Sequence, residues 1–183
     1  DFSLPQALPT VLETARAKKC ALVLATTGYS KEELAQIQEI SKLVPVCQSP
    51  NMSPGVNLFM KFAGEIAAAL GEDYEVEVVE APHHFKKDAP SGTALKTAQK
   101  IADATGRTLE ENAVYGRQGI VGERPKGEIG IHTVRGGDIV GEHLVMYCGT
   151  GERIELQSRV TSRLCFASGA VRIAKILSGK APG

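Results

Sequence analysis

The feature that most constrains the fold is an alternation of helices and strands in the first fifty residues. An Ala-rich stretch that ends at Lys19 is followed by an apolar run at 21–24. A second helical pattern at 31–42, capped by Ser30, precedes another apolar run at 44–47. Strands that alternate with helices at this spacing are typical of βαβ units. The sequence therefore predicts an α/β fold with a parallel sheet.

The turns after these two predicted strands are small and polar, reading A-T-T-G at 25–28 and S-P-N-M at 49–52. Ligands of open parallel sheets bind at the carboxyl ends of the strands, so both turns are candidate walls of a binding site. Ordinary connections have the same composition, and this pattern alone leaves both interpretations open.

A long helix and a strand follow. Ser53 and Pro54 form a helix start, an apolar stripe continues at intervals of three and four, and Gly71 ends the helix. Residues 74–81 then alternate as a strand, until Val79 interrupts the alternation. We expect the helix stripe to be core.

The strand leads into the segment EAPHHFKKDAPSGTA at 80–94. Ser91 is a natural N-cap and Gly92 allows close approach of the backbone, so a helix is predicted to begin here and to end at Gly106. Free N–H groups and the helix dipole bind anions at such a start. The sequence therefore predicts an anion site at Ser91, Gly92 and Thr93.

Just upstream, the same loop carries two histidines and two lysines. His83 and His84 can exchange protons near neutral pH, and the ammonium of Lys86 can hold a carboxylate or deliver a proton. Asp88 is the only nearby carboxylate, so we predict no metal site. Together with the helix start, these groups favour an active site for an anionic substrate.

The last third changes character. Residues 128–135, 139–148 and 153–161 have the composition of long strands, joined by glycine-rich turns that suit an antiparallel set. Such strands offer a broad face for contact with other subunits. A final helix at 163–178 is expected to cover the first sheet with one apolar side: Leu164, Ala167, Ala170, Val171, Ala174 and Leu177.

Composition limits the functional classes. The 21 basic and 21 acidic residues cancel, so no general attraction to nucleic acid or to an anionic membrane is expected. No apolar run reaches the roughly 20 residues of a membrane span. The four cysteines lack metal-ligand spacing and are interpreted as reduced, mostly core thiols. These features predict a soluble, cytoplasmic protein.

With these residues described, the chain resembles the dihydrodipicolinate reductase family, whose pattern is E-x-H-H-x-x-K-x-D-A-P-S-G-T-A. Glu80 and the DAPSGTA run at 88–94 match that pattern. The remaining matches are TTG at 26–28, NMS at 51–53, GVN at 55–57, GER at 122–124, RGGDIVGEH at 135–143, SR at 162–163 and ASGAV at 167–171.

The resemblance implies a Rossmann-like dinucleotide-binding domain at 1–52 and 163–183. An α+β domain with a mixed sheet at 53–162 would bind substrate and build a homotetramer. The chain opens without Met, as though a strand had just ended, and no G-x-G-x-x-G follows a strand. The expectation is therefore a fragment that lacks the first half of the dinucleotide domain and the extension after the last helix.

The resemblance also implies the reaction, in which NADPH or NADH gives a hydride to the ring of a small dicarboxylate and an acid then protonates the enamine carbon. His83 and Lys86 would be catalytic. The implied substrate-binding residues are His84, Ser91, Gly92 and Thr93. The implied cofactor-binding residues are Ala25, where the family usually has Gly, with Thr26, Thr27, Ser49, Pro50, Asn51 and Met52.

One position departs from the family pattern. In a gapless register Pro82 replaces the first histidine of the family's pair and His83 is the second, so one acid/base group is absent. In a slipped register Pro82 is an insertion and His83 and His84 form the pair. The alternatives to a reductase are a substrate-binding and tetramerisation module without useful catalysis, and an unrelated phosphate-binding module built on 91–93.

Overall fold

The computed structural model describes residues 1–183 and contains both the parallel sheet and the mixed sheet expected from the sequence. In chain order the elements are α1 (Leu8–Lys18), β1 (Leu22–Leu24), α2 (Lys31–Ser41), β2 (Val46–Gln48), α3 (Pro54–Leu70), β3 (Glu75–Pro82), α4 (Gly92–Ala104), α5 (Leu109–Asn112), β4 (Ala113–Tyr115), β5 (Ile129–Thr133), β6 (Gly141–Gly149), β7 (Glu152–Val160) and α6 (Leu164–Leu177). These elements form two compact units, one of Asp1–Pro54 with Leu164–Gly183 and one of Gly55–Arg163.

The first unit contains the predicted parallel pair. Strands β1 and β2 run parallel with Leu24 opposite Gln48. Helix α2 connects them and begins with a capping box, in which the Ser30 hydroxyl accepts from the Glu33 N–H and the Glu33 carboxylate accepts from the Ser30 N–H. Leu24 and Ile40 are fully or almost fully buried in the core of this unit. The α/β prediction is confirmed.

Helix α6 packs against β1 and β2, as expected, but through a different face. Of the predicted apolar side, Leu164 and Val171 are exposed, with 72% and 56% of their surface accessible. The buried position is Gly169, where a Cβ atom would lie 1.9 Å from the Met52 carbonyl oxygen. Nearly every position of this helix is small or apolar, so its periodicity did not identify the buried face.

The second unit is built on a five-stranded sheet in the order β4-β5-β3-β6-β7. The predicted antiparallel arrangement is correct for β6 and β7. It is wrong for β5, which runs parallel to both β3 and β4. Strand β3 lies between β5 and β6, so residues 134–140 cross the end of β3 instead of forming a hairpin.

Helices α3 and α4 pack against one face of this sheet. The core there includes Val56, Val78, Ile101 and Val145, and the buried Tyr147 hydroxyl donates to the Ala63 carbonyl at 2.7 Å. Burial alternates along the whole of β3, so Val79 does not interrupt the strand. The alternation places Glu80 and Pro82 on the core face.

The opposite face of the sheet carries a charged cluster around Glu77. Arg117 Nη2 lies 2.7 Å, and Arg124 Nε 3.2 Å, from Glu77 Oε1, and His132 Nε2 lies 2.7 Å from Oε2. Arg117 also pairs with Glu128. Because Glu77 is only 15% exposed, these partners offset the cost of burying its charge.

The cysteines are free, but the expectation that they are mostly core is wrong. Cys20 is exposed, while Cys47, Cys148 and Cys165 are half-buried. Each lies at or near the end of an element, where coverage is incomplete. None of the helices combines the length and apolar character that a membrane crossing requires.

Candidate functional site

The candidate site of the second unit begins where the loop at 83–91 leaves the central strand β3. The pairing of β3 with β6 is unbroken from Glu75 opposite Cys148 to Pro82 opposite Gly141. An inserted residue in a paired strand produces a bulge, and none occurs here. Pro82 is therefore a regular strand residue with its ring buried, which favours the gapless register.

The loop ends at the start of α4, where the predicted N-cap is present. The Ser91 hydroxyl accepts from the Ala94 N–H at 3.1 Å, and Ser91 is 6% exposed. Its own N–H donates to Glu80 Oε1 at 2.8 Å. The first N–H groups of a helix of this length attract anions, so the geometry suits a carboxylate at Ser91, Gly92 and Thr93.

His83 is half-buried at the beginning of the loop, and its Nδ1 atom is covered and has no partner. Desolvation lowers the pKa of this imidazole below its ordinary value, and the positive charges of Arg163, Lys86 and Arg135 lower it further. A lowered pKa makes the protonated ring a stronger acid. An anion bound nearby would counter the same positive charges.

Lys86 and Arg135 order the middle of the loop. Lys86 Nζ lies 2.8 Å from Asp88 Oδ1, and this hydrogen bond is the main reason why the pKa of Asp88 falls below its usual range. Arg135 Nη2 donates to the Asp88 carbonyl at 2.8 Å. The lysine side chain is 23% exposed, so its charge remains accessible beside His83.

His84, the next residue of the loop, contacts a different segment. Its Nδ1 lies 3.3 Å from the Gly137 carbonyl oxygen, and its ring contacts Phe85 with centroids 3.8 Å apart. The residue is exposed. His84 thus connects the loop to the segment that crosses the end of β3.

Sequence reasoning missed three residues that make hydrogen bonds to the loop. Arg135 and Gly137 belong to the RGGDIVGEH run, which by itself indicates no role, and both contact the loop. Glu80 is one position of the family pattern and suggests no role by itself, yet its carboxylate accepts a hydrogen bond from the Ser91 N–H. The sequence did contain a signal for Glu80. If the alternation of Val76 and Val78 is continued by one more step, it places this acidic residue on the apolar face of β3, where the structure buries it.

In the first unit, the two candidate turns begin side by side, because the Ser49 N–H donates to the Leu24 carbonyl at 3.0 Å. Thr26 and Met52 are buried, and the Thr26 hydroxyl donates to Asp1 Oδ2 at 2.9 Å. Thr27 and Pro50 are exposed. The buried residues fix the turns and the exposed ones face solvent at the carboxyl ends of two parallel strands, where ligands of open parallel sheets bind.

Comparison with known proteins covers the whole chain. The family model described as "Dihydrodipicolinate reductase, N-terminus" matches residues 1–52, and "Dihydrodipicolinate reductase, C-terminus" matches residues 55–183. The chain is 51% identical to the 4-hydroxy-tetrahydrodipicolinate reductase of Syntrophobacter fumaroxidans, over 100% of this chain and 68% of that protein. It is 50% identical to the protein of that name from Hahella chejuensis, with the same coverage.

Among solved structures, the chain is similar to "Dipicolinate bound Dihydrodipicolinate reductase from Paenisporosarcina sp. TG-14". The TM-score is 0.74 at 29% identity, and the match covers 97% of this chain and 67% of that one. With that coverage, the match includes residues of both sheets.

Proposed function

Since this chain belongs to the dihydrodipicolinate reductase family, we propose that it acts as a 4-hydroxy-tetrahydrodipicolinate reductase of diaminopimelate and lysine biosynthesis. It reduces 4-hydroxy-tetrahydrodipicolinate to tetrahydrodipicolinate in the cytoplasm. The observation that carries the proposal is the buried, capped start of α4 beside the cationic loop at the end of β3.

The substrate is a small dicarboxylate held by Ser91, Gly92, Thr93 and His84. The helix start supplies N–H groups for one carboxylate, and Lys86 supplies a positive charge nearby. A solved relative with dipicolinate bound supports this ligand class. The role of His84 rests on its position in the same loop.

His83 and Lys86 are the acid groups of the proposed reaction. The 4-hydroxyl of the substrate leaves as water, a bound NADPH or NADH would supply the hydride, and the chain must then deliver a proton to the enamine carbon. Pro82 has no proton to give, whereas the His83 imidazole can carry one. Desolvation and nearby cations lower the pKa of His83, and a bound dicarboxylate would counter those cations and favour the protonated ring. Lys86 holds the substrate and can share in the proton transfer.

In the first unit, the proposed contacts to the nicotinamide half of the cofactor are Ala25, Thr26, Thr27 and the turn at 49–52. Residues 1–52 and 163–183 act as the dinucleotide-binding part, and residues 53–162 bind substrate. The adjacent carboxyl ends of β1 and β2 support this division of roles.

The proposed assembly is a homotetramer formed through the sheet of the second unit. The face opposite α3 and α4 carries Val79, Leu144 and Met146, which are apolar and only half-buried within one chain. Light scattering during size-exclusion chromatography tests this assembly, and a monomer at micromolar concentration would contradict it.

Calorimetric titration with pyridine-2,6-dicarboxylate and an assay of NADPH or NADH oxidation test the function together. Binding accompanied by substrate-dependent oxidation is the expected result. Binding without oxidation would favour the substrate-binding and tetramerisation module. Tight phosphate binding with no affinity for the dicarboxylate would favour the phosphate-binding module.

A further inference from the structure

The side chain of Glu80 is fully buried, with 0% of its surface exposed. Glutamate is almost never buried in this way unless it is paired, because removing a carboxylate from water is costly. The carboxylate must therefore have hydrogen-bond partners that offset this loss of hydration, and these partners lie in the candidate site.

One oxygen of this carboxylate accepts hydrogen bonds from two other elements, at the N-cap of α4 and in β5. Glu80 Oε1 accepts from the Ser91 N–H and from the Thr133 hydroxyl, each at 2.8 Å. The backbone carbonyl of Glu80 accepts from the Val134 N–H at 2.8 Å. The central strand β3 is thereby connected to the start of α4 and to the end of β5.

His143 lies opposite Glu80 on the same face of the sheet. Glu80 Oε2 is buried without a partner, and so is His143 Nδ1. The two residues are directly opposite in the β3–β6 pairing, which brings their Cβ atoms to about 5 Å. The His143 ring is 6.1 Å from the ring of Phe59, with 9% of the residue exposed. Burial lowers the pKa of His143 and the charge of Glu80 raises it, so the two side chains lie close enough to interact.

We propose that Glu80 is a positioning residue that fixes the direction of the helix start at Ser91 toward the substrate carboxylate, with His143 completing its hydrogen bonds. The inference rests on the proposed function, since it assigns a purpose to the anion site at 91–93. Hydrogen bonds to a charged acceptor are stronger than neutral ones, and here the donor is the N–H of the N-cap itself. Loss of the acceptor would leave that N–H buried and unpaired.

The test compares Glu80→Ala with Glu80→Gln by calorimetric titration with pyridine-2,6-dicarboxylate, using the full-length polypeptide. The amide oxygen of glutamine can still accept from Ser91 and Thr133, so its affinity should stay within about threefold of wild type. Alanine removes the acceptor, and a displaced helix start should weaken binding by at least about tenfold. Affinity for NADPH should change in neither variant.

A stability control separates positioning from general destabilisation. Val145→Ala opens a cavity in the same core without touching the helix start, and it should retain wild-type affinity for the dicarboxylate despite a lower melting temperature. If Val145→Ala weakens binding as much as Glu80→Ala does, the positioning role is wrong.

The outcomes also separate this inference from the proposed function. A wild-type protein that does not bind the dicarboxylate contradicts the function itself. A wild-type protein that binds, with Glu80→Ala binding equally well, overturns only the role of Glu80. If Glu80→Ala does not fold, Glu80→Met fills a similar volume without an acceptor and should show the same tenfold loss; wild-type affinity in that variant would overturn the role.

Discussion

Gly130 and Glu77 face each other across β5 and β3, and the missing side chain of Gly130 leaves the space that the Glu77 carboxylate occupies. A Cβ atom at Gly130 would lie 1.8 Å from Glu77 Oε2. That oxygen contacts His132, and the other carboxylate oxygen contacts Arg117 and Arg124. The glycine therefore determines whether the charged cluster can form.

We expect Gly130→Ala to displace the Glu77 carboxylate and to lower the free energy of unfolding by about 1–3 kcal/mol, because buried charged partners lose their hydrogen bonds. Urea denaturation measures this change. Gly141→Ala, in β6, is the control: a Cβ atom there meets nothing within 4 Å, and we expect a change within about 0.5 kcal/mol. Equal effects of the two substitutions would contradict the explanation.

His83→Ala should lower the turnover of the full-length enzyme more than His84→Ala. The reason is that the half-buried imidazole of His83 lies among cations, whereas His84 is exposed and contacts the Gly137 carbonyl. Steady-state kinetics at saturating substrate measure the difference in kcat. Small and equal effects of both substitutions would remove His83 from the catalytic role.

Replacing Arg135 by Met should raise the pKa of His83. Desolvation lowers this pKa first, and the positive charges of Arg163, Lys86 and Arg135 lower it further, so removal of one charge moves it upward. A pH titration of the imidazole followed by NMR measures the shift. Arg153→Met, at the start of β7, should leave the His83 titration unchanged; a similar shift in that variant would point to a general effect of net charge.

The free energy of unfolding should fall as the pH drops below 6.5. Burial lowers the pKa of His143, and the charge of Glu80 offsets this only in part. Between the folded pKa and 6.5 the unfolded chain binds more protons, so stability rises with pH in that window and the contribution is lost on acidification. Urea denaturation at a series of pH values measures the slope.

His143→Gln should flatten that pH dependence. His83 contributes in the same direction, because its pKa is also lowered by desolvation. A parallel series with His83→Gln separates the two contributions. An unchanged slope in both variants would mean that neither histidine is responsible.

In the first unit, Gly169→Ala should destabilise the fold and displace the turn at 49–52. The added Cβ atom would lie 1.9 Å from the Met52 carbonyl oxygen, and overpacking against backbone costs about 1–3 kcal/mol. Thermal unfolding measures the loss. Gly179→Ala, after α6, has no atom within 4 Å of the new Cβ and should behave as wild type.

Local patterns predicted the elements that depend on neighbouring residues. The caps at Ser30 and Ser91 and the strand before Pro82 were all predicted, because caps and alternation are encoded within a few positions. The parallel pairing of β5 was not visible, since it depends on β3, about fifty residues earlier. The burial of Gly169 was hidden for a related reason: the contact is with Met52, far away in sequence.

The same contrast between local patterns and distant contacts applies to the candidate site. The residues of the loop at 83–91 were identified from their chemistry. Arg135 and His143 were not, because each contacts or faces its partner from a segment that lies far along the chain: Arg135 donates to the Asp88 carbonyl, and His143 pairs with Glu80 across two strands. Glu80 is an intermediate case. The sequence matched it to the family pattern, but its burial was not predicted, because the alternation of β3 was expected to stop at Val79 and in fact continues to Pro82.

The central location of β3 has a consequence for how this site can change during evolution. With β5 on one side and β6 on the other, β3 cannot slide by a residue without breaking two ladders at once. A substitution at position 82 is therefore not compensated by moving the strand. The loop that follows is not paired in the sheet, so insertions and side-chain changes there leave both ladders intact.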